Sequence, residues 1–147
     1  AHDVRPAPNG IGFIPEYKDW KVISTSERLD NDTVRVILGN DRAIRAIEKN
    51  SINPWPDGAI LAKVAWNRLT DESGSGQTGQ FRQVEFMIKD SRKFASTLGW
   101  GFARWRGADL QPFGADANFV QGCIGCHYPL SDRDFVFTSP IKSGRED

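Results

Sequence analysis

The only two cysteines of this chain stand three apart, Cys123 and Cys126, with His127 directly behind them. On a helical turn, residues three and four apart share a face, so both thiols and the imidazole turn to one side. This Cys-x-x-Cys-His spacing is the one by which two thioether bonds attach a c-type haem while the histidine supplies one axial ligand. On this reading a haem would enlarge the core that the chain closes. Other uses of a Cys-x-x-Cys pair are a redox dithiol, half of a zinc site or a disulfide. Zinc needs two further ligands, and the only other histidine, His2, lies in a polar terminal stretch. A redox pair opens a helix after a strand, whereas this one closes a predicted helical segment.

The far side of the iron is equally informative. Electron-carrying cytochromes complete the axial pair with methionine or a second histidine. Here nothing after His127 can do so, and the sole methionine, Met87, lies upstream in a predicted strand. Met87 reads as a core thioether, with axial ligation as its alternative. An open distal position follows from the first reading. It points to binding or chemistry at the iron by a small nitrogenous or diatomic ligand more than to plain electron transfer.

The length, 147 residues, suits one domain spanning 1–147. Residues 1–10 are expected as an extended lead-in and 140–147 as a polar tail. Lys and Arg total 19 against 19 Asp and Glu, which leaves no electrostatic case for nucleic acid or an anionic membrane surface. No apolar run is long enough to span a bilayer. Ala1 stands where a methionine would begin an unprocessed chain, and with a haem attached outside the cytoplasm this gives the expectation of an exported, periplasmic protein.

Along the chain the fold is expected to begin near Phe13, with a short turn around Tyr17 and Trp20 feeding a strand. Thr33–Leu38 is β-branched and stops at Gly39. Asn40 or Asp41 caps a helix whose apolar stripe is Ala43, Ile44, Ala46 and Ile47. Residues 53–58 break into a turn. Ala59–Trp66 and a strand from Gln80 to about Lys89 make a long hairpin across the loop 71–79. Asp90 or Ser91 caps a turn containing Phe94, Trp100–Trp105 is a further strand, and 116–127 is helical. Residues 134–138 form a short apolar piece. The predicted class is therefore α+β, an antiparallel sheet with a few helices and the haem attached near the C-terminus.

Two charged residues stand out within these strands. Lys63 shares a strand face with Ala59, Leu61 and Ala65, so it is either a desolvated lysine of lowered pKa, and hence a nucleophile, or an edge lysine that reaches water along its stem. Glu85 shares a face with Phe81, Gln83 and Met87, while Val84, Phe86 and Ile88 take the other. It can exchange protons with an iron-bound ligand, or it can pair with an arginine across the sheet such as Arg104. Arg35 reads as a solvated strand residue, with a haem propionate as its alternative partner. The five tryptophans and nine phenylalanines are assigned to packing.

The order of these pieces resembles the cytochrome P-460 superfamily, which includes the beta-type cytochromes c′. The likeness covers nearly the whole chain. It runs through Pro56-Asp57-Gly58 and the Lys63 strand, the glycine-rich loop, Glu85 with 89–95, Gly99-Trp100-Gly101-Phe102, Cys123–His127, and Asp134 with 136–138. The resemblance implies a haem held by Cys123, Cys126 and His127, with Lys63 cross-linked to a meso carbon and Glu85 relaying protons. It implies oxidation of hydroxylamine to nitrous oxide, a soluble electron-carrier protein as redox partner, and a homodimer. Beta-type cytochromes c′ lack the cross-link and bind nitric oxide or carbon monoxide, which makes gas binding the rival function. Where the family has an aromatic residue just before the Val34 strand, this chain has Asn31 and Asp32, which implies a more polar distal wall.

Overall fold

Among the described residues, runs of β-branched and aromatic residues, punctuated by Gly, Asn and Asp, produce six strands in chain order. They are β1 (Lys21–Arg28), β2 (Thr33–Gly39), β3 (Ile60–Thr70), β4 (Gly76–Lys89), β5 (Trp100–Arg106) and β6 (Gln111–Pro112). In the computed structural model, which describes residues 3–140, they form one antiparallel sheet in that same order. Each strand thus pairs with its sequence neighbour, as short connections favour. With α1 (Asp41–Glu48) and α2 (Val120–His127), the fold is α+β. His2 and residues 141–147 of the predicted tail lie outside the described residues.

Alternation along the strands gives the sheet two apolar faces. One carries Ile23, Ile37, Leu61, Trp100 and Phe102 beneath Ala43 and Ala46 of α1, Trp55, Val120 of α2 and Val136. The other carries Ala62, Val64, Val84, Phe86, Ala103 and Trp105, covered by Ala7, Ile11 and Tyr17. On that second face Phe13, Tyr17, Trp20 and Trp105 meet the Phe86 ring edge to face, with centroids 5.7–6.3 Å away.

Asn40 is the helix cap, and it does more than cap. Its Oδ1 accepts the Ala43 N–H at 3.0 Å and the Ile60 N–H at 3.1 Å, while Nδ2 donates to the Gly58 carbonyl at 2.9 Å. One side chain therefore fixes the start of α1 against the start of β3. At Gly101 the strand passes directly beneath the Phe94 ring, where a Cβ would lie 2.5 Å from the nearest ring carbon.

Several expectations are corrected. Residues 3–10 are not a lead-in ahead of the fold: Ala7 is buried, the Arg5 carbonyl accepts the Trp105 indole N–H at 2.8 Å, and Asn9 Nδ2 donates to the Phe102 carbonyl at 2.8 Å. The hairpin is longer than predicted, because β3 continues to Thr70 and β4 begins at Gly76, leaving a turn held by Asp71. Phe81 does not share a face with Glu85. The partners step from Ala65↔Gln83 to Trp66↔Phe81, so Arg82 is an extra residue that turns Phe81 onto the second face beside Trp66. The helical segment opens as a 3-10 turn, Ala117–Phe119, before α2. The short apolar piece 134–138 is irregular and buries Val136 in the core, with Asp134 and Phe135 both at positive φ, 49° and 64°.

Candidate functional site

The register of the sheet builds the site row by row. On the helix-bearing face, Leu61, Met87 and Phe102 stand side by side across β3, β4 and β5; the next row is Ile37, Lys63, Glu85 and Arg104; the next is Arg35, Ala65, Gln83 and Arg106. The first row is apolar and packs under α2, whose Cys123 and Ile124 join that core together with Met87. From the second and third, Arg35, Lys63, Ala65, Gln83, Glu85 and Arg104 line a mostly polar groove of about 230 Å³, which also takes in Arg28, Asn31, Thr33 and Arg82.

At α2 both cysteines are free thiols, Cys123 half-buried and Cys126 exposed. Burial pushes the Cys123 thiol up from its ordinary value, against a weaker pull from the Arg104 charge. A redox-active dithiol has its attacking thiol pushed down, so the environment of Cys123 does not suit that use. Among the described residues no group of three or more His, Cys, Asp and Glu can hold a metal ion, which leaves a zinc half-site without its complement.

His127 is held by its ring nitrogen. Nδ1 lies 2.6 Å from the Phe135 carbonyl oxygen, which can only accept, so Nδ1 carries the proton and Nε2 keeps its lone pair. Burial pulls its pKa below the ordinary histidine value, keeping the ring neutral as a metal ligand must be. Phe137 meets the ring edge-on at 4.7 Å and Phe102 tilts against it at 5.4 Å. The Phe135 carbonyl is itself held in place by its neighbour: Asp134 is buried, its Oδ1 and Oδ2 accept Lys89 Nζ at 2.9 and 2.7 Å, Oδ2 accepts the Trp55 N–H at 2.8 Å, and its carbonyl accepts the Trp100 indole N–H at 2.9 Å. Sequence reasoning missed this pair, since nothing local marks Lys89 or Asp134 as partners.

Lys63 and Glu85 are cross-strand neighbours, with Nζ 3.1 Å from Oε2. Gln83 Nε2 donates to Oε1 at 2.6 Å, and Arg104 Nε sits 2.9 Å from the same oxygen without its N–H aligned on it. The cross-sheet arginine weighed for Glu85 is therefore present, and Lys63 joins it. Lys63 keeps 31% of its side-chain surface exposed, so it is not the buried lysine of this sheet; Lys89, at 7%, is. The charges of Lys63 and Glu85 also act on His127, and those of Arg104 and Glu85 on Cys123, which places the polar row within electrostatic reach of the motif.

These residues fit a covalently attached haem. Two unpaired thiols and a tautomer-fixed imidazole occupy one helix, aromatic rings flank the imidazole, and a polar groove adjoins them. Among the described residues, buried Arg35 Nε has neither a hydrogen-bond partner nor an ion pair there, as expected of a group awaiting an anion, whereas Arg104 Nε has the Glu85 carboxylate beside it. A family model described as Cytochrome P460 matches residues 14–138, from the turn ahead of β1 to the segment just past Phe137. Comparison with curated proteins finds no match.

Proposed function

The chain belongs to the cytochrome P460 family, a family of haem cytochromes, and from that premise we propose a mono-haem c-type cytochrome that oxidises hydroxylamine to nitrous oxide. The observation that carries the reading is a neutral, tautomer-fixed His127 behind the two thiols, with the Glu85 carboxylate close enough in the next row of the sheet for its charge to act on the imidazole. When bound, the haem would supply a redox-active iron at which a small nitrogenous ligand could be oxidised.

The protein's own part is positional. Cys123 and Cys126 would hold the ring through thioether bonds, and the Phe135 carbonyl orients His127 and would make it a stronger donor. Glu85 is the base. Converting two hydroxylamine molecules to one nitrous oxide and one water releases four protons and four electrons; Glu85 receives protons at its carboxylate, and a soluble electron-carrier protein takes the electrons. Lys63 governs Glu85 directly, because its ammonium occupies Oε2. Bonding of Lys63 to the porphyrin edge, which needs a two-electron oxidant because an N–H and a C–H are both lost, would release that oxygen toward the groove.

The main alternative is a gas-binding cytochrome without the cross-link, in which Lys63 would keep its ion pair with Glu85. Mass spectrometry of the denatured protein, with tryptic mapping, separates the two. Haem retained on Cys123 and Cys126 and a porphyrin adduct on Lys63 are expected. Haem on the cysteines alone moves the reading to nitric oxide or carbon monoxide binding, and a low-spin methionine spectrum moves it to electron transfer. In protein carrying both attachments, Glu85→Ala should slow hydroxylamine oxidation while leaving nitric oxide binding in place; unchanged turnover removes Glu85 from the mechanism.

A further inference from the structure

The groove beside Lys63 holds more positive charge than its own side chains balance. Arg28 is matched by Asp30 outside it, and the single carboxylate within it, Glu85, is divided between Lys63 and Arg104. Arg35 and Arg82 form no ion pair among the described residues. Arg82 spends Nε on Asn67 Oδ1 at 3.1 Å and Nη1 on the Asn31 carbonyl at 3.2 Å, which fixes its guanidinium at the groove wall. Arg35 has a buried Nε with no partner at all, and burial followed by the nearby Arg28 charge pulls its pKa below the ordinary arginine value. A buried guanidinium nitrogen without a partner is costly, and in a chain of zero net charge this concentration is local rather than general.

A c-type haem carries its own answer to such a site. Its two thioether bonds lie on one edge and its two propionate carboxylates on the opposite edge. Guanidinium groups, with planar forks of donors, match carboxylates in pairs. We propose that the part of the groove lined by Arg35 and Arg82 is the receptor for the haem propionate edge, with Arg35 as the principal donor and Arg82 completing it. This rests on the covalent-haem reading above. The same donors would also take a free small oxyanion, so the two sources of carboxylate-like charge have to be separated.

The test uses the haem-loaded protein with Arg35→Gln, Arg35→Lys and Arg82→Gln. Resonance Raman spectra report the propionate bending band, which moves to lower frequency when a hydrogen bond to the carboxylate is lost. The expected result is a downward shift in Arg35→Gln and a smaller one in Arg82→Gln, with partial recovery in Arg35→Lys, at unchanged haem content by mass. An unshifted band in all three variants with haem still attached overturns the proposal and leaves the haem reading standing. Saturable binding of formate or nitrite to the loaded protein that disappears in Arg35→Gln also overturns it, because the groove would then be open to free anions. Wild-type protein without covalent haem ends both.

Discussion

Replacing Lys89 by methionine tests how firmly the proximal side is held. Both members of the Lys89–Asp134 pair are nearly buried, at 7% and 8% side-chain exposure, and Nζ lies 2.7 Å from the nearer carboxylate oxygen. At an effective dielectric of about 20 that separation corresponds to roughly 6 kcal/mol of gross attraction, most of which is offset by the desolvation of both ions. The intact pair therefore adds little net stability, whereas stranding one member costs about 3–5 kcal/mol. Asp134 keeps the Trp55 N–H in the variant, which favours the lower end, near 3 kcal/mol. Urea unfolding of the haem-loaded protein, followed by circular dichroism, should show the midpoint falling by about 1–3 M for the usual range of slopes. Lys89→Met/Asp134→Asn should recover much of the loss, since no buried charge is left unpaired and the asparagine oxygen still accepts from Trp55. A single-variant cost under about 1 kcal/mol, or a double variant as unstable as the sum of the two single variants, would refute the reasoning. The iron–histidine stretching band should broaden in Lys89→Met as well, because Asp134 anchors the carbonyl that orients His127.

Three further outcomes are expected. Asn40→Ala removes a cap that also accepts from Ile60 and should cost about 2 kcal/mol, at the top of the usual range, by chemical denaturation. Gly101→Ala drives a Cβ into the Phe94 ring and should destabilise by about 1–3 kcal/mol with a change in the near-ultraviolet circular dichroism; an unchanged midpoint would show that Phe94 yields freely. Asp57 is held below the ordinary carboxylate value by its hydrogen bond from the Ser91 hydroxyl and then by the Ser91 N–H. Its folded pKa is lowered, so its contribution is present above about pH 4 and is lost as pH falls through the folded value. An acid titration of Asp57→Asn should lack that component, and identical wild-type and variant acid limbs would count against it.

What could be read along the chain was local chemistry. The spacing of Cys123, Cys126 and His127 is a property of a single helical turn. Likewise Asn40 ahead of an apolar three-four stripe specifies a capped helix, and β-branched runs specify β2 and the middle of β3, wherever they end up. The helical spacing that places a thiol pair and an imidazole together is maintained by backbone hydrogen bonds alone. Faces and partners were another matter. One extra residue at Arg82 moved Phe81 to the opposite side of the sheet, and strict alternation could not foresee it. Cross-strand register set Glu85 between Lys63 and Arg104, and closure of the C-terminal segment brought Asp134 onto Lys89. Those juxtapositions join residues far apart in the chain, and their energies come from desolvation and packing that exist only once the sheet and its covering helices have met.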